Sequence, residues 1–263
     1  MSKTKVIAFA NNKGGSGKTT SVSNIGCAMA QLGKKVLLID ADMQVNLTLA
    51  YFDEERALGF AESGRNVYTA VKEERALSDF IAPTDYEGLD IVPSTPAMSG
   101  IEYDLFTKWQ REFILKKCLA PVVARGYYDY VLIDAPPTLG GWVMNIMCAS
   151  DFVVIPVEAS PWGLFGLANM FDFITRVKAL APALEVLGIA ITKADERKNY
   201  FKETVKTLRD SEIARLFETY VRVDSAVEWS QDNSKPVVAY KKYSRSALEY
   251  KKLTKEILNY ADR

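Results

Sequence analysis

A glycine- and lysine-rich segment near the start of the chain has the composition of a phosphate-binding loop. Its members are Lys13, Gly14, Gly15, Ser16, Gly17, Lys18, Thr19 and Thr20. Glycines let backbone N–H groups turn toward phosphate oxygens, Lys18 can reach the β- and γ-phosphates, and the Thr19 hydroxyl can bind Mg²⁺. An apolar run, Val6–Ala10, precedes the segment, and a helical pattern follows it. The order strand, loop, helix therefore predicts a nucleotide site at a helix N-terminus.

Carboxylates follow two further apolar runs. Asp40 and Asp42 come after Val36–Ile39, and Asp134 comes after Tyr130–Ile133. Carboxylates at the end of a buried strand are costly unless they serve a cation or a water, although a helix cap would explain one of them. Asp134 leads into an Ala-Pro-Pro turn and resembles a Walker B aspartate, which holds Mg²⁺ directly or through a water.

Composition narrows the chemistry. The chain has 263 residues, 48% of them hydrophobic, and we expect one domain over residues 1–263. No histidine is present, which excludes Ser-His-Asp and Cys-His nucleophiles and every histidine metal site. The formal net charge is zero, so a nucleic-acid surface would have to be local. We predict neither a membrane span nor a secretory signal.

The cysteines are interpreted as core thiols. Cys27, Cys118 and Cys148 lie far apart in apolar helical contexts, without zinc or iron–sulfur spacing. Such thiols fit a reducing cytoplasm.

Short apolar runs alternate with helical stretches along the chain. Continuous rather than alternating apolar runs indicate parallel strands that are buried on both faces. The sequence therefore predicts an α/β fold, with a doubly wound, mostly parallel sheet flanked by helices. We also predict a helix over Ile101–Leu119, a loop over Phe52–Gly64 and a weak strand near Phe217–Val221.

The Lys13–Thr19 segment resembles the deviant Walker A motif of the ParA/MinD family of ATPases, although that family usually has valine in place of Ser16. The resemblance implies a P-loop NTPase fold, ATP and Mg²⁺ as ligands, and a homodimer in which Lys13 reaches the other subunit's nucleotide. No helix-turn-helix segment precedes the loop, so the chain resembles the small form of the family.

The resemblance also assigns roles to other residues. The segment from Asp40 to Asn46 is similar to the family's D-x-D-P-Q-G-N stretch. By that match Asp42 positions the attacking water and Asp40 supports the Mg²⁺ network. Met43 and Val45 depart from the proline and glycine of the family, which puts the loop conformation in question. The resemblance places Thr192, Arg222 and Asp224 beside adenine.

The function that the resemblance implies is DNA partitioning. An ATP-bound dimer would bind DNA without sequence preference on the nucleoid, and a ParB-like DNA-binding partner would trigger hydrolysis. Residues 241–263 carry seven basic and three acidic side chains, and residues 193–215 carry seven and five. Each lysine could equally belong to a solvated helix face. The candidate DNA contacts are Arg197, Lys198, Lys202, Arg222, Lys241, Lys242 and Arg245.

A MinD-like positioning ATPase that cycles on and off a membrane is the alternative. It requires a terminal amphipathic helix that docks on lipid. One apolar face of the last predicted helix could serve, although packing against the sheet explains it more simply. The face consists of Tyr250, Leu253, Ile257, Leu258 and Ala261.

Overall fold

The apolar runs form the strands of one seven-stranded sheet in a computed structural model, which describes residues 4–263 but no side chains for residues 161–165. The strand order is β3-β4-β2-β5-β1-β6-β7, and every neighbouring pair is parallel except the antiparallel β3 and β4. The strands are β1 (Lys5–Phe9), β2 (Val36–Asp40), β3 (Ala82–Pro83), β4 (Leu89–Val92), β5 (Tyr130–Asp134), β6 (Phe152–Glu158) and β7 (Glu185–Thr192).

Helices cover both faces of this sheet. Successive residues of β1 face opposite cores: Val6 and Ala8 belong to one, Ile7 and Phe9 to the other. This two-sided burial explains why the strands are continuously apolar. The helices are α1 (Lys18–Gln31), α2 (Asn46–Leu49), α3 (Glu54–Glu62), α4 (Val67–Lys72), α5 (Ile101–Phe106), α6 (Ile114–Arg125), α7 (Gly141–Cys148), α8 (Pro161–Leu180), α9 (Asn199–Asp210), α10 (Ser225–Gln231), α11 (Val237–Tyr240) and α12 (Arg245–Ala261).

The doubly wound architecture is as predicted, but three local predictions are wrong. The helix expected over Ile101–Leu119 is divided into α5 and α6, because Gln110 adopts a left-handed backbone (φ 49°). The loop expected over Phe52–Gly64 contains α3, whose first turn is capped by Asp53, which accepts a hydrogen bond from Arg56 N at 2.9 Å. The stretch Phe217–Val221 is bounded by isolated bridges and forms no strand.

The last helix is integrated into the core. The side chains of Tyr250, Leu253, Ile257 and Ala261 are all at most 3% exposed and belong to the core that α1 also joins. The apolar face of α12 is therefore covered by the protein itself. In the described part of the chain, no helix is both long and apolar enough to cross a membrane.

Parallel register brings the candidate residues together at one edge of the sheet. Phe9 and Asp40 both pair with Asp134, so the ends of β1, β2 and β5 are level. Asp40 and Asp134 are the last residues of β2 and β5, and the loops that follow β1 and β2 carry the glycine segment and Asp42. A crevice beyond the carboxyl ends of the strands is where ligands bind in such sheets.

Candidate nucleotide-binding site

The glycine segment forms a tight loop between β1 and α1. Gly15 and Gly17 have positive φ angles of 73° and 81°, a conformation that L side chains rarely adopt. A Cβ on Gly17 would also lie only 3.1 Å from Oγ1 of Thr192. The Thr192 hydroxyl in turn donates a hydrogen bond to the Ser16 carbonyl at 2.8 Å. The end of β7 therefore braces the loop, and α1 begins directly behind it with its first N–H groups free of a side-chain cap.

Replacing Gly17 with alanine tests this packing. We expect Gly17→Ala to destabilise the fold by about 2 kcal/mol, since the positive φ costs about 1 kcal/mol and the contact with Thr192 adds to it. Gly33→Ala is the matched control, because Gly33 has the same φ of 81° but no neighbouring atom within 4 Å of an added Cβ. Urea unfolding of both variants measures the difference, and equal losses would contradict the steric contact.

Lys18 lies inside the loop. Its side chain is buried, and its Nζ donates a hydrogen bond to the Lys13 carbonyl at 3.2 Å. Burial lowers the pKa of the Lys18 ammonium, whereas the carboxylates of Asp134 and Asp42 oppose that shift. The ammonium is thus held beneath the loop with anionic groups on its inner side.

Asp134 has the least satisfied side chain of the site. It is buried, and neither of its carboxylate oxygens meets the geometry of a hydrogen bond with a described residue. Burial raises its pKa well above the usual range and the neighbouring Asp40 adds to the rise, while the nearby Thr19 hydroxyl and Lys18 ammonium lower it. Two unpaired buried oxygens beside a hydroxyl form a donor set that suits a hard cation such as Mg²⁺.

Asp40, by contrast, is occupied by its own chain. Its Oδ2 accepts hydrogen bonds from the Thr48 amide at 2.8 Å and the Thr48 hydroxyl at 2.7 Å, and its Oδ1 accepts one from the Asp42 amide at 3.3 Å. Burial raises the pKa of Asp40 to about 6, against these hydrogen bonds. The structure therefore makes Asp40 a brace for the loop after β2, which favours an indirect role at a metal.

Asp42 stands on a loop whose backbone is strained. Val45 has φ 59° and ψ 14°, the left-handed conformation that a glycine would adopt freely. The valine therefore adopts a backbone conformation that glycine favours, at a cost on the order of 1–3 kcal/mol. Hydrogen bonds hold the loop: the Val45 amide donates to the Asp42 carbonyl at 3.1 Å, and the Ser94 hydroxyl donates to the same carbonyl at 2.7 Å.

Lys13 points away from its own loop. Its Nζ donates a hydrogen bond to the hydroxyl of Ser160, which follows β6, at 2.7 Å, and it lies 3.2 Å from Oε2 of Glu158, the last residue of β6. Lys13 and Lys18 thus diverge, with Lys18 buried under the loop and Lys13 held at its outer side.

One open cavity of about 840 Å³ joins these groups. The glycine loop, Lys18 and Asp42 line it together with residues 221–224. Its size and its concave, partly preformed shape are those of a small-molecule site. The three residues predicted beside adenine, Thr192, Arg222 and Asp224, all line the cavity, and Thr192 also contacts the loop. Asp224 also caps α10, by accepting a hydrogen bond from the Ala226 amide at 3.0 Å.

The sequence alone did not identify the remaining part of the cavity lining. It comes from α10, the turn before α11, and α12, through Val227, Glu228, Gln231, Pro236 and Tyr250. Gln231 reaches the glycine loop, where its Nε2 donates a hydrogen bond to the Thr20 hydroxyl at 3.3 Å. The only available signal was the Lys-Pro pair at residues 235–236, which does not indicate a ligand by itself.

The predicted DNA contacts lie in three segments: around the start of α9, at residue 222, and from the end of α11 to the start of α12. Arg222 forms ion pairs with Glu249 and Glu196, which joins the segment after β7 to α12. Arg245 donates a hydrogen bond to the Val223 carbonyl. Arg197, Lys198 and Lys202 surround the start of α9 and are exposed.

Two other basic residues of this group lie over aromatic rings. Lys241 Nζ stands 3.4 Å from the Trp229 ring centroid, and Lys242 Nζ stands 5.5 Å from that of Tyr243. Arg222 is therefore largely neutralised by its acids, whereas Lys198, Lys202, Lys241 and Lys242 have no ion pair among the described residues.

Known proteins resemble this chain over almost its full length. A family model described as an AAA domain matches residues 4–186. The chain is 32% identical to the chromosome partitioning protein ParA of Caulobacter vibrioides over 256 residues, which cover 97% of this chain and 94% of that protein. It is 34% identical to the sporulation initiation inhibitor protein Soj of Bacillus subtilis over 254 residues, which cover 96% and 98%.

A solved structure shares the fold. It is a cobyrinic acid a,c-diamide synthase from Mycobacterium smegmatis with a bound ATP analogue and magnesium. It superposes with a TM-score of 0.83 at 26% identity and covers 98% of this chain and 96% of its own.

Proposed function

Because the chain belongs to the ParA family of partitioning ATPases, we propose that it binds ATP and Mg²⁺, pairs with a second copy and then binds DNA without sequence preference. A ParB-like DNA-binding partner would stimulate hydrolysis and release, and the nucleoid would be the place of action. The observation that carries the nucleotide part of this proposal is Asp134, whose two buried carboxylate oxygens are near Lys18 and Thr19 and meet hydrogen-bond geometry with none of the described residues.

In this proposal the loop and α1 bind the triphosphate. Backbone N–H groups of residues 14–20 and the free helix N-terminus supply hydrogen bonds and partial positive charge to the phosphates. Lys18 supplies a full charge to the β- and γ-phosphates. Thr19 and Asp134 would hold Mg²⁺, which usually takes one or two protein ligands together with phosphate oxygens and waters and which neutralises charge on the phosphates.

Hydrolysis would depend on Asp42. A carboxylate at the mouth of the cavity can accept a hydrogen bond from a water and orient its oxygen toward the γ-phosphorus. The bonds from Val45 and Ser94 to the Asp42 carbonyl fix the position of that residue. Attack by the water oxygen would form a bond to the γ-phosphorus and break the bond from that phosphorus to the β–γ bridging oxygen, so that ADP leaves and the protons of the water pass to the released phosphate.

The dimer would bring Lys13 to the nucleotide of the other copy. Lys13 lies at the outer side of its loop, and its partners Glu158 and Ser160 are side chains of the same subunit. A cation that arrives from a second subunit stabilises the charge that develops on the transferred phosphoryl group. ATP binding and dimer formation would then be linked, because the bound ATP would form part of the interface between the two copies.

DNA binding would use the exposed lysines around α9 and the turn before α12. The contacts Arg222–Glu196 and Arg245–Val223 connect these loops to the wall of the cavity. Lysines without ion pairs can neutralise DNA phosphates and release counterions, which makes binding depend on salt and not on sequence.

We expect the double variant Lys241→Ala/Lys242→Ala to weaken ATP-dependent DNA binding by about tenfold near physiological salt. The slope of log affinity against log salt should fall by about 2, since each lost phosphate contact removes about 0.9. Fluorescence anisotropy on a random duplex at several salt concentrations measures both quantities. Lys116→Ala/Lys117→Ala, an exposed lysine pair on α6, is the matched control. A wild-type chain with ATP that binds no duplex at low salt would contradict the proposal.

The membrane alternative has less support. Its docking face on α12 is packed against α1 and the sheet, so it would have to leave the core before it could reach lipid. Flotation with liposomes in the presence of ATP distinguishes the two functions, because the partitioning proposal expects no co-flotation.

A further inference from the structure

A third lysine, Lys193, stands beside the glycine loop in a strained conformation. Its φ of 50° lies in the left-handed region, which a residue with a side chain rarely occupies unless its surroundings impose it. Hydrogen bonds fix the backbone on both sides. Thr192 Oγ1 donates to the Ser16 carbonyl at 2.8 Å, and the Ala194 amide donates to the Val221 carbonyl at 2.9 Å. Strained backbone conformations of this kind cluster at functional sites, which points to a functional role for the Lys193 side chain.

The side chain is directed at the loop. Lys193 Nζ is 3.8 Å from the position that a Cβ on Gly15 would occupy, and Lys193 lines the same cavity as Gly14, Gly15 and Lys18. Lys193 is exposed, and its ammonium has no hydrogen bond or ion pair among the described residues. The other two lysines at this loop differ in this respect, because Lys18 binds the Lys13 carbonyl and Lys13 binds Glu158 and Ser160.

The position of the Lys193 ammonium indicates which part of a nucleotide it would bind. It lies beside Gly15 of the glycine loop, whose backbone would bind phosphate oxygens, and Lys193 lines the cavity together with Gly14 and Lys18. The cavity also contains the carboxylate of Asp42, so a triphosphate would enter a region in which one more cation improves the charge balance. We propose that Lys193 binds the phosphate chain of the nucleotide, as a third lysine in addition to Lys13 and Lys18. The inference rests on the proposed ATP binding.

Lys193→Met tests it, because methionine keeps an unbranched apolar stem and removes the charge. ATP, ADP and AMP compete with a fluorescent ATP analogue for the variant and the wild type. We expect ATP and ADP to bind about tenfold more weakly, the effect of losing one hydrogen bond to a charged group. AMP, which lacks the β- and γ-phosphates, should change less than twofold. Lys193→Arg should restore most of the ATP affinity.

Lys178→Met is the matched control, since Lys178 is an exposed lysine on α8 that does not line the cavity. The thermal midpoint of each variant without nucleotide shows that its fold is intact. Unchanged ATP affinity in Lys193→Met, or equal losses for ATP, ADP and AMP, would overturn the assignment. If the wild type itself bound no ATP, the proposed function would fail instead, so the two failures are distinguishable.

Discussion

Lys18→Ala is expected to lose ATP binding by a factor of at least about 100, the effect of removing one partner of a buried, hydrogen-bonded charge pair. The ammonium is buried at the loop, and its removal leaves Asp134 and Asp42 without the cation that opposes their charge. The incoming phosphates would then face uncompensated carboxylates. Binding of a fluorescent ATP analogue measures the loss directly.

Thermal unfolding gives a second measurement of the same variant. A ligand present at 100 times its dissociation constant stabilises the native state by about 2.7 kcal/mol. The wild type should show that gain with ATP and Mg²⁺, and Lys18→Ala should show none. Lys13→Ala is the matched control, because Lys13 belongs to the same loop but points outward to Glu158 and Ser160, so it should retain nucleotide binding. Wild-type ATP affinity in Lys18→Ala would refute the site.

Asp42→Ala is expected to slow ATP hydrolysis by at least about 100-fold while ATP binding persists, because positioned acid–base groups contribute about 10²–10⁴ in rate. The ATP-bound dimer should therefore accumulate. Phosphate release measures the rate, and light scattering with ATP measures the mass of the complex.

Asp42→Asn separates chemistry from loop structure. Asp42 Oδ1 accepts a hydrogen bond from the Gln44 amide at 3.1 Å, and an asparagine oxygen can keep that bond. The asparagine variant should thus match Asp42→Ala in hydrolysis and match the wild type in thermal stability. Hydrolysis at the wild-type rate in either variant would show that Asp42 does not orient the water.

Much of the fold could be predicted because the signals were local. Continuous apolar runs indicated buried parallel strands, and the glycine segment stood between a strand and a helix, which is the order observed. The register that levels Asp40 with Asp134 then follows from parallel pairing. The residues at the carboxyl end of the sheet could therefore be predicted from the sequence.

The remainder depended on contacts that are distant in sequence. The residue type of Val45 does not indicate a left-handed turn, and the Ser94 hydroxyl that helps to hold its loop is 52 residues from the Asp42 carbonyl that accepts its hydrogen bond. The break before α6 depends on a positive φ at Gln110, where the sequence has no glycine. Part of the cavity lining comes from α10 and α12, more than 200 residues after the glycine loop.

The contacts of Lys13 have a consequence for kinetics. Its ion pair with Glu158 is partly exposed, and exchanging such a pair for another anion costs about 1 kcal/mol or less. Side chains of this kind reorient within nanoseconds. Release of Lys13 would therefore never limit the association of two ATP-bound copies, and the initial rate of dimer formation should rise with the square of the protein concentration, without a lag.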